Sequence, residues 1–535
     1  MILKTLRQSI LTYVRRGIQY TSGLFPKLNI PLKTSLVPSI GASTPTFSRT
    51  TTGTVIDFEG SLLTALINEL RFPGARRVRN LLSNTEILST QTVTVSSGTS
   101  YILSFSGTGS VILSGAATGT LSGSTGRVQV TKSATTSSLT LTVIGSVLQA
   151  QLEKVTGTQT VASEYISAGV LSWPYHGACV DGVKYFNTDR EGNILESNGS
   201  LIEQSATNLG SYSNSFNSWT KSGIAVTSNY SSSPLGDHTS SLLTNTITGQ
   251  PYMYEAFSCI SGKLYSFSIF AKAGLTNFIS MTFSTVSFSN LGYAIFNLSN
   301  GVVSSAISCS AGMKYIGNGW YRCSIYNTAS STLSSSSVLI TPSYEGANRA
   351  TGTSGSTIEV CGAQVENGIT TSYTPTSGTA VTRTADILSY DIGDVITQGQ
   401  GSLYCEAVFK ELLSSTTYIL SLDDATSSNM ISLYIDSGTT LNVTMTSSGS
   451  STVTSSMVTV SKDSVYKIMI TYKNNSFKVY INGTLVLTDT SCTVPTVTFL
   501  RFSRYNNSGQ TNIQIKDFMY YKEVLKQAEA ERRTS

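Results

Sequence analysis

Short runs in which apolar and polar residues alternate recur along most of the chain, and they predict β-strands. The alternation is clearest near the C-terminus, as in residues 402–409 and 430–435, because successive side chains of a strand point to opposite faces of its sheet. Residues 477–487 place Asn482-Gly483 between two such runs, and this dipeptide favours a tight two-residue hairpin. The pattern predicts an all-β protein.

The first 46 residues follow a different pattern. Apolar residues at helical spacing predict a short amphipathic helix near residues 2–20, namely Leu3, Leu6, Ile10 and Val14 opposite Lys4, Arg7 and Arg15. Residues 21–46 contain Pro26, Pro31, Pro38 and Pro45, and helices do not tolerate that proline spacing. We therefore expect a helical anchor followed by an extended arm.

Four short signatures occur twice in the same order, which indicates a duplicated unit. The pairs are Asp57-Phe58-Glu59-Gly60 with Asp189-Arg190-Glu191-Gly192, Asn80-Leu81 with Asn208-Leu209, Ser97-Gly98-x-x-Tyr101-x-x-Ser104 with Ser261-Gly262-x-x-Tyr265-x-x-Ser268, and Ala150-Gln151-Leu152-Glu153 with Ala363-Gln364-Val365-Glu366. If the two copies share one topology, Tyr101 should be equivalent to Tyr265 and Gln151 to Gln364.

These patterns predict three tandem β-sandwich domains of jelly-roll type behind the N-terminal anchor and arm. The predicted segments are the anchor and arm (1–46), an opening segment (47–82), a small sandwich (83–154), a connector (155–207), a large jelly roll (208–376), a linker (377–386) and a C-terminal sandwich with its tail (387–535). We expect the C-terminal sandwich to fold alone.

Composition narrows the functional classes. Charged residues make up 12% of the 535 residues and the formal net charge is +5, which is too mild over this length to indicate nucleic-acid binding. The seven cysteines, at 179, 259, 309, 323, 361, 405 and 492, include no C-x-x-C pair, so we expect buried free thiols and no zinc site. No apolar run is long enough to span a membrane.

Three stretches resemble bacteriophage virion proteins of the tail-fibre and head-fibre type. They are Phe47-Ser48-Arg49-Thr50 through Asp57-Phe58-Glu59-Gly60 to Arg79-Asn80-Leu81-Leu82, then Ser200-Leu201-Ile202-Glu203-Gln204 with Thr207-Asn208-Leu209 and Trp219-Thr220-Lys221, and finally Ala363-Gln364-Val365-Glu366 with Ser372-Tyr373-Thr374-Pro375-Thr376 and Arg383-Thr384-Ala385-Asp386. The large copy, with Gly319-Trp320-Tyr321-Arg322, also resembles jelly-roll carbohydrate-binding modules. The C-terminal unit, with Tyr480-Ile481-Asn482-Gly483, is similar to concanavalin-like and laminin-G-like sandwiches.

The resemblance implies a structural adhesin on the surface of a virion that attaches to host glycans without catalysis. It would be made in the bacterial cytoplasm and would form a homotrimer, with residues 1–46 docking onto a portal, collar or capsid protein. A membrane is the alternative partner for the helix, without insertion. A decoration protein with no receptor and a glycan-degrading tailspike remain alternative functions.

No residue constellation predicts a catalytic site or a cofactor site. The two histidines, His176 and His238, lie in different units without a triad context. Asp423-Asp424 is an adjacent carboxylate pair that either caps a hairpin loop or ligates a structural calcium ion. Trp219 and Trp320 are expected in the core rather than at a sugar, so no ligand-contact residue is predicted.

Overall fold

The computed structural model describes residues 25–290, 292–411, 415–437 and 439–535. The predicted helical anchor lies outside these ranges. The described strands before residue 210 are β1 (Leu28–Ile30), β2 (Pro45–Ser48), β3 (Gly53–Ile56), β4 (Leu62–Ala65), β5 (Arg76–Arg79), β6 (Gln91–Thr94), β7 (Ser100–Gly115), β8 (Gly119–Ser133), β9 (Ser138–Ile144), β10 (Leu148–Lys154), β11 (Val183–Phe186), β12 (Ser200–Ile202) and β13 (Ala206–Asn208).

The middle of the chain adds a 3-10 turn at Phe216–Ser218 and a second group of strands. They are β14 (Thr220–Ser222), β15 (Ile224–Ser228), β16 (Ser241–Asn245), β17 (Tyr252–Cys259), β18 (Leu264–Ala273), β19 (Phe278–Phe283), β20 (Tyr293–Asn297), β21 (Val302–Ile307), β22 (Ser310–Gly317), β23 (Trp320–Thr328), β24 (Leu333–Ser343) and β25 (Thr357–Asn367).

The C-terminal part contains the remaining described strands and a short helix. They are β26 (Val381–Arg383), β27 (Ile387–Asp391), β28 (Gln400–Phe409), β29 (Thr417–Asp423), β30 (Met430–Ile435), β31 (Thr440–Ser447), β32 (Ser450–Thr459), β33 (Val465–Lys473), β34 (Ser476–Ile481), β35 (Thr484–Asp489), β36 (Phe499–Arg501), β37 (Ile513–Tyr521) and α1 (Gln527–Thr534). The all-β prediction is confirmed.

The small unit is built on the long hairpin β7–β8. Its strands run in the order β10-β7-β9-β6, and β8 pairs with β7. The β7–β8 register shifts on both sides of Gly107, so the first half of β7 pairs with β10 and the second half with β9. Leu103, Phe105 and Leu141 are buried in the core that results.

The middle unit is a sandwich of two six-stranded sheets, which confirms the predicted jelly-roll-like architecture. One sheet has the order β14-β17-β24-β19-β20-β21 and the other β15-β16-β25-β18-β23-β22. Their inner faces enclose a core that includes Trp219, Phe267, Met281 and Ile340. Apolar residues facing inward from both sheets bury the surface that stabilises the sandwich.

The C-terminal sandwich pairs two seven-stranded sheets, and three of their strands come from distant parts of the chain. One sheet is β1-β37-β28-β33-β34-β35, with β12 also on β37; the other is β2-β27-β36-β29-β30-β31-β32. Leu28, Ile30, Phe47 and Ile202 belong to the same buried cluster as the C-terminal strands. Residues 25–46, expected as an extended arm, therefore pack onto this sandwich, because their few apolar residues alternate correctly for edge strands.

The two repeated units share the hydrogen bonds made by their signature residues. Asn80 Nδ2 donates to the carbonyl of Ala150 at 2.9 Å, and Asn208 Nδ2 donates to that of Ala363 at 3.2 Å. The hydroxyl of Tyr101 accepts a backbone N–H from five residues earlier at 2.7 Å, and that of Tyr265 does the same at 3.0 Å.

Strand register places the glutamines of the repeat at equivalent positions. Gln151 on β10 faces Ser104 on β7, and Gln364 on β25 faces Ser268 on β18. Each glutamine amide also donates to the glutamate two residues later, at 3.0 and 2.7 Å. The predicted equivalence of the two copies is confirmed for these residues.

Candidate functional site

The stretches that carry the family resemblance converge on one buried ion network. Arg49 Nη1 lies 2.9 Å from Asp386, Arg71 Nη2 lies 2.9 Å from Glu203, and Arg383 Nη2 lies 3.4 Å from Glu203. Arg71 also pairs with Asp386. The three arginine side chains and Asp386 are fully buried. The network joins the opening segment, the connector and the linker at one point.

The network carries one more positive than negative charge, because it contains three guanidinium groups and two carboxylates. Burial alone would raise the pKa of Glu203, but the charges of Arg383 and Arg71 and hydrogen bonds from Ser372 outweigh it and lower the pKa to about 2. Buried charges are tolerated only when paired and hydrogen-bonded. The network is enclosed by protein, so we assign it a structural role at the junction.

A cleft of about 640 Å³ opens next to this junction. Its walls come from the opening segment, the large unit and the C-terminal sandwich, and Glu203 lies in its lining. Its polar and charged lining residues include Asp57, Lys314, Arg322, Tyr326, Thr370, Lys410, Glu411, Lys462, Asp463 and Gln514. The volume is within the range of small-molecule sites in proteins.

The C-terminal wall of the cleft carries two ion pairs. Lys410 Nζ contacts Asp463, and Lys462 Nζ contacts Glu411. Burial raises the pKa of Glu411, although the hydrogen bond and charge of Lys462 offset part of the shift. Each lysine on this wall is therefore largely neutralised by its own partner.

The opposite wall, on β22 and β23, carries two cations without a carboxylate at ion-pair distance among the described residues. Arg322 donates to Ser268 Oγ at 3.0 Å and to the carbonyl of Thr371 at 2.7 Å, and its guanidinium lies 5.4 Å from the ring of Phe270. Arg127 makes the equivalent contacts in the small unit. The contacts of Arg322 are therefore part of the fold that the two units share.

Lys314 is the other cation on this wall, and its side chain is exposed to the solvent of the cleft. Desolvation by the walls and repulsion from Lys410, Arg322 and Lys462 lower its pKa, and Asp463 offsets part of the shift. Lys314 has no hydrogen-bond or ion-pair partner among the residues that the structure describes, so it is the cation best placed to meet a ligand.

Asp57 contributes a titratable carboxyl to the cleft. Its Oδ1 accepts the N–H groups of Glu59 and Ser61 at 3.0 and 2.8 Å. Burial raises the pKa of Asp57 to about 7, Glu59 adds to the shift, and the two hydrogen bonds and Arg190 oppose it. Asp189 makes the same turn in the repeated signature.

The carboxylate pair Asp423-Asp424 does not form a cation site. Asp423 is buried and accepts hydrogen bonds from Ser421 Oγ and from Arg501 Nε, at 2.7 and 3.1 Å. Asp424 points into its own turn, where it accepts from Thr426 and from Asn429 Nδ2. Within residues 25–535, as far as they are described, no group of three His, Cys, Asp or Glu side chains could hold a metal ion.

The histidines are not brought together. His176 Nε2 lies 3.0 Å from the carbonyl oxygen of Ser167 and 3.2 Å from its hydroxyl, within the connector. His238 is exposed on a loop of the middle unit. Neither residue lines the cleft.

The predictions for tryptophan and cysteine are tested by burial. Trp219 and Trp320 are buried, as expected, and Trp219 Nε1 donates to the carbonyl of Tyr212 at 3.0 Å. All seven cysteines are free thiols, and six of them are buried while Cys309 is partly exposed.

Sequence reasoning missed the cleft residues. Arg322 is part of the Gly319-Trp320-Tyr321-Arg322 motif, and the tryptophan of this motif suggested a position in the core instead of a binding site. Lys314 stands in an ordinary strand, and only its lack of an ion-pair partner in the fold distinguishes it. A lysine on a strand of a chain with so few charges was the one signal available in the sequence.

Residues 405–531 match the concanavalin A-like lectin/glucanases superfamily, in its Laminin_G_3 family. The C-terminal unit is a lectin-like sandwich. The match covers one unit of the chain, and a comparison with curated proteins finds no match.

Solved structures share only a distant likeness with the chain. A heptameric SAP-like pentraxin from Limulus polyphemus is 16% identical over 26% of this chain and 70% of its own, with a TM-score of 0.21. The CBM40 of a Ruminococcus gnavus IT-sialidase is 16% identical over 28% of this chain and 92% of its own, with a TM-score of 0.24. The carbohydrate-binding module CBM66 from Bacillus subtilis is 10% identical over 25% and 81%, with a TM-score of 0.20. These likenesses are too weak to bear on function.

In the described part of the chain, no helix has the length and apolar character needed to cross a membrane.

Proposed function

We propose that this protein is a non-catalytic, glycan-binding adhesin on the surface of a bacteriophage particle, as a tail-fibre or head-fibre subunit. The observation that carries the glycan-binding part is the lectin-like sandwich at residues 405–531. The phage setting is supported by the three resembling stretches, whose charged residues make up the junction network. Host surface glycans are the proposed partners.

Assembly on the particle is part of the same proposal. Only 12% of the residues are charged, and weakly charged faces can pack against symmetry mates without burying ions, so we propose a homotrimer. Residues 1–46 were expected to attach to a portal, collar or capsid protein; because residues 25–46 pack onto the C-terminal sandwich, we propose that residues 1–24 make this attachment. The chain would be made in the bacterial cytoplasm and act at the virion surface.

Attachment can be tested by a truncation that the fold now defines. Removing residues 1–24 leaves β1 and β2 on the C-terminal sandwich, whereas removing 1–46 also deletes β1 and the first half of β2. We expect a chain of residues 25–535 to fold but to be missing from purified particles by immunoelectron microscopy. Normal incorporation would contradict the anchor, and lipid binding by a peptide of residues 1–24 would favour a membrane partner.

Receptor binding separates the adhesin from a decoration protein with no receptor. We expect the full-length protein to retain host-surface oligosaccharides on a glycan array. A protein that decorates particles and binds no glycan on the array would have a structural role alone.

A glycan-degrading spike is the second candidate, and Asp57 is the observation that favours it. A carboxyl with a pKa of about 7 in a cleft has the property expected of a general acid. Incubation with host polysaccharide followed by a reducing-end assay tests it. We expect no release by the wild type, whereas release that is abolished in Asp57→Asn would favour the spike.

A further inference from the structure

Four cations, Lys314, Arg322, Lys410 and Lys462, meet where the large unit faces the C-terminal sandwich. Glu411 and Asp463 pair with the two lysines of the C-terminal wall, and the charges of Glu366 and Glu203 act on Arg322. Lys314 is repelled by the other three cations, and Asp463 offsets only part of that repulsion. Like charges that repel across a cleft are stabilised when an anion binds between them.

Lys314 is the one lysine of this group that has no carboxylate at ion-pair distance among the described residues. Lys410 and Lys462 each have a carboxylate partner, and Arg322 is held by Ser268 and the backbone. Lys314 makes no ion pair with any described residue, and it projects from β22, which pairs only with β23. β8 is the strand of the small unit that is equivalent to β23, because Arg127 and Arg322 make the same contacts. It has no outer neighbour like β22 within residues 83–154. The Lys314 wall is therefore an addition of the large unit.

The same lining contains polar atoms that make no hydrogen bond with the described protein. Gln514 is 5% exposed, and its Oε1 has no donor. Arg322 Nε is also buried without a partner. Buried polar groups normally have partners, so a bound molecule with hydroxyls and a negative charge would satisfy acceptors and donors that the fold leaves free.

We propose that this cleft binds an acidic oligosaccharide whose carboxylate or sulfate lies beside Lys314, an inference that rests on the proposed glycan-binding function. The negative group pairs with Lys314, which has no carboxylate at ion-pair distance among the described residues. Sugar hydroxyls donate to Gln514 Oε1 and accept from Arg322 Nε. Asp57, Glu203, Glu411 and Asp463 also line the cleft, so the anionic group must lie on the β22 side, away from the opening segment.

The test begins with an array that pairs each acidic oligosaccharide with its neutral parent. The probes are trimers of galacturonic acid and glucuronic acid, sulfated galactotriose, and the unmodified trimers of galactose and glucose. We expect full-length protein to retain at least one acidic trimer at least tenfold more tightly than its neutral parent. Comparing the uronic acid trimers with sulfated galactotriose shows whether the cleft binds a carboxylate or a sulfate.

Calorimetry with the best acidic trimer then tests the location. Lys314→Gln should weaken binding at least tenfold and flatten its dependence on NaCl between 50 and 300 mM, because a paired charge is screened by salt. Lys263→Gln is the matched control, an exposed lysine of the same unit that does not line the cleft, and it should bind like the wild type. Lys314→Gln should melt at the wild-type temperature or above, since the change removes a repelled charge.

The possible outcomes distinguish a failure of the acidic-oligosaccharide site from a failure of the proposed glycan-binding function. Equal retention of neutral and acidic trimers would leave an adhesin and overturn the acidic specificity. Acidic binding that Lys314→Gln leaves unchanged would overturn the location in this cleft. No retention of any oligosaccharide, neutral or acidic, would overturn the proposed function itself.

Discussion

The middle and C-terminal sandwiches look alike in cross-section but differ in how the chain builds them. The middle sandwich draws every strand of its two sheets from Thr220–Ser222 to Thr357–Asn367. The C-terminal sandwich takes β1, β2 and β12 from segments more than 180 residues away. A continuous stretch of sequence is thus a folding unit in one case and an incomplete one in the other.

The borrowed strands contribute apolar surface as well as hydrogen bonds. Leu28, Ile30, Phe47 and Ile202 are buried in the C-terminal core, and burying one such side chain contributes roughly 1.5–3 kcal/mol. Together they approach the whole stability of an ordinary domain, which is about 5–15 kcal/mol. The C-terminal strands alone would leave that core open to water.

The largest expected effect comes from excising each sandwich. A fragment of residues 206–383 should unfold in one cooperative transition, because its sheets are complete. A fragment of residues 387–535 should aggregate or melt without cooperativity, against the sequence-based expectation that it folds alone. Thermal unfolding followed by circular dichroism distinguishes them.

The control is a chain in which residues 25–48 are joined by a flexible linker to residues 387–535. This restores β1 and β2 and should recover cooperative melting. A stable 387–535 fragment without the arm would show that the borrowed strands are dispensable and would remove the contrast between the two sandwiches.

The junction network offers the next largest effect. Asp386→Asn keeps the side-chain shape but leaves Arg49, Arg71 and Arg383 with only Glu203 as counter-charge. Removing one partner from a buried ionic cluster typically destabilises a protein by about 3–5 kcal/mol. Urea unfolding should show this loss, while Asp394→Asn, an exposed aspartate nearby, should change stability by less than about 0.5 kcal/mol.

The smallest effect concerns pH. The pKa of Asp57 is raised in the folded state from 3.8 to about 7, so its contribution to stability is full below pH 3.8 and is lost as the pH rises to about 7. Asp57→Asn keeps Oδ1 as the acceptor of the turn and should remove this dependence, making the variant more stable than wild type at pH 8. The gain is a few kcal/mol at most, at about 1.4 kcal/mol per tenfold change in proton affinity.

Asp189→Asn is the matched control for this change. Asp189 makes the same turn but is only partly buried, and the hydrogen bond from Asn193 leads the effects that lower its pKa. Its replacement should not flatten the stability profile between pH 4 and 7. If both variants behaved alike, burial in the cleft would not be the cause of the Asp57 shift.

Local patterns in the sequence predicted the local structure well. The Asn482-Gly483 hairpin joins β34 and β35, with positive φ at both turn residues. The repeated signatures identified equivalent positions because each carries a side chain that hydrogen-bonds the backbone of its own unit. The residues that determine these local structures lie within a few positions of each motif.

Long-range pairing could not be predicted in the same way. β1 has three residues, too few to show a period, and its partner Tyr520 lies at the far end of the chain. The cleft was hidden for the same reason: its walls come from three segments, and the unpaired state of Lys314 is a property of the assembled fold. Arg383 and Asp386 belong to one short sequence motif, but their ion-pair partners Glu203 and Arg49 belong to two other motifs far away in the sequence.

The pairing of β1 with β37 also sets the path of mechanical force. Leu28 faces Tyr520 and Ile30 faces Phe518, so a pull applied at residue 25 enters the C-terminal sandwich through this short ladder. The load reaches that sandwich without first stretching the small unit or the middle sandwich. Under tension, this three-residue ladder opens first. The force then reaches the hydrogen bonds of Leu36 with Gly177 and Tyr390, and after them the β2–β27 ladder.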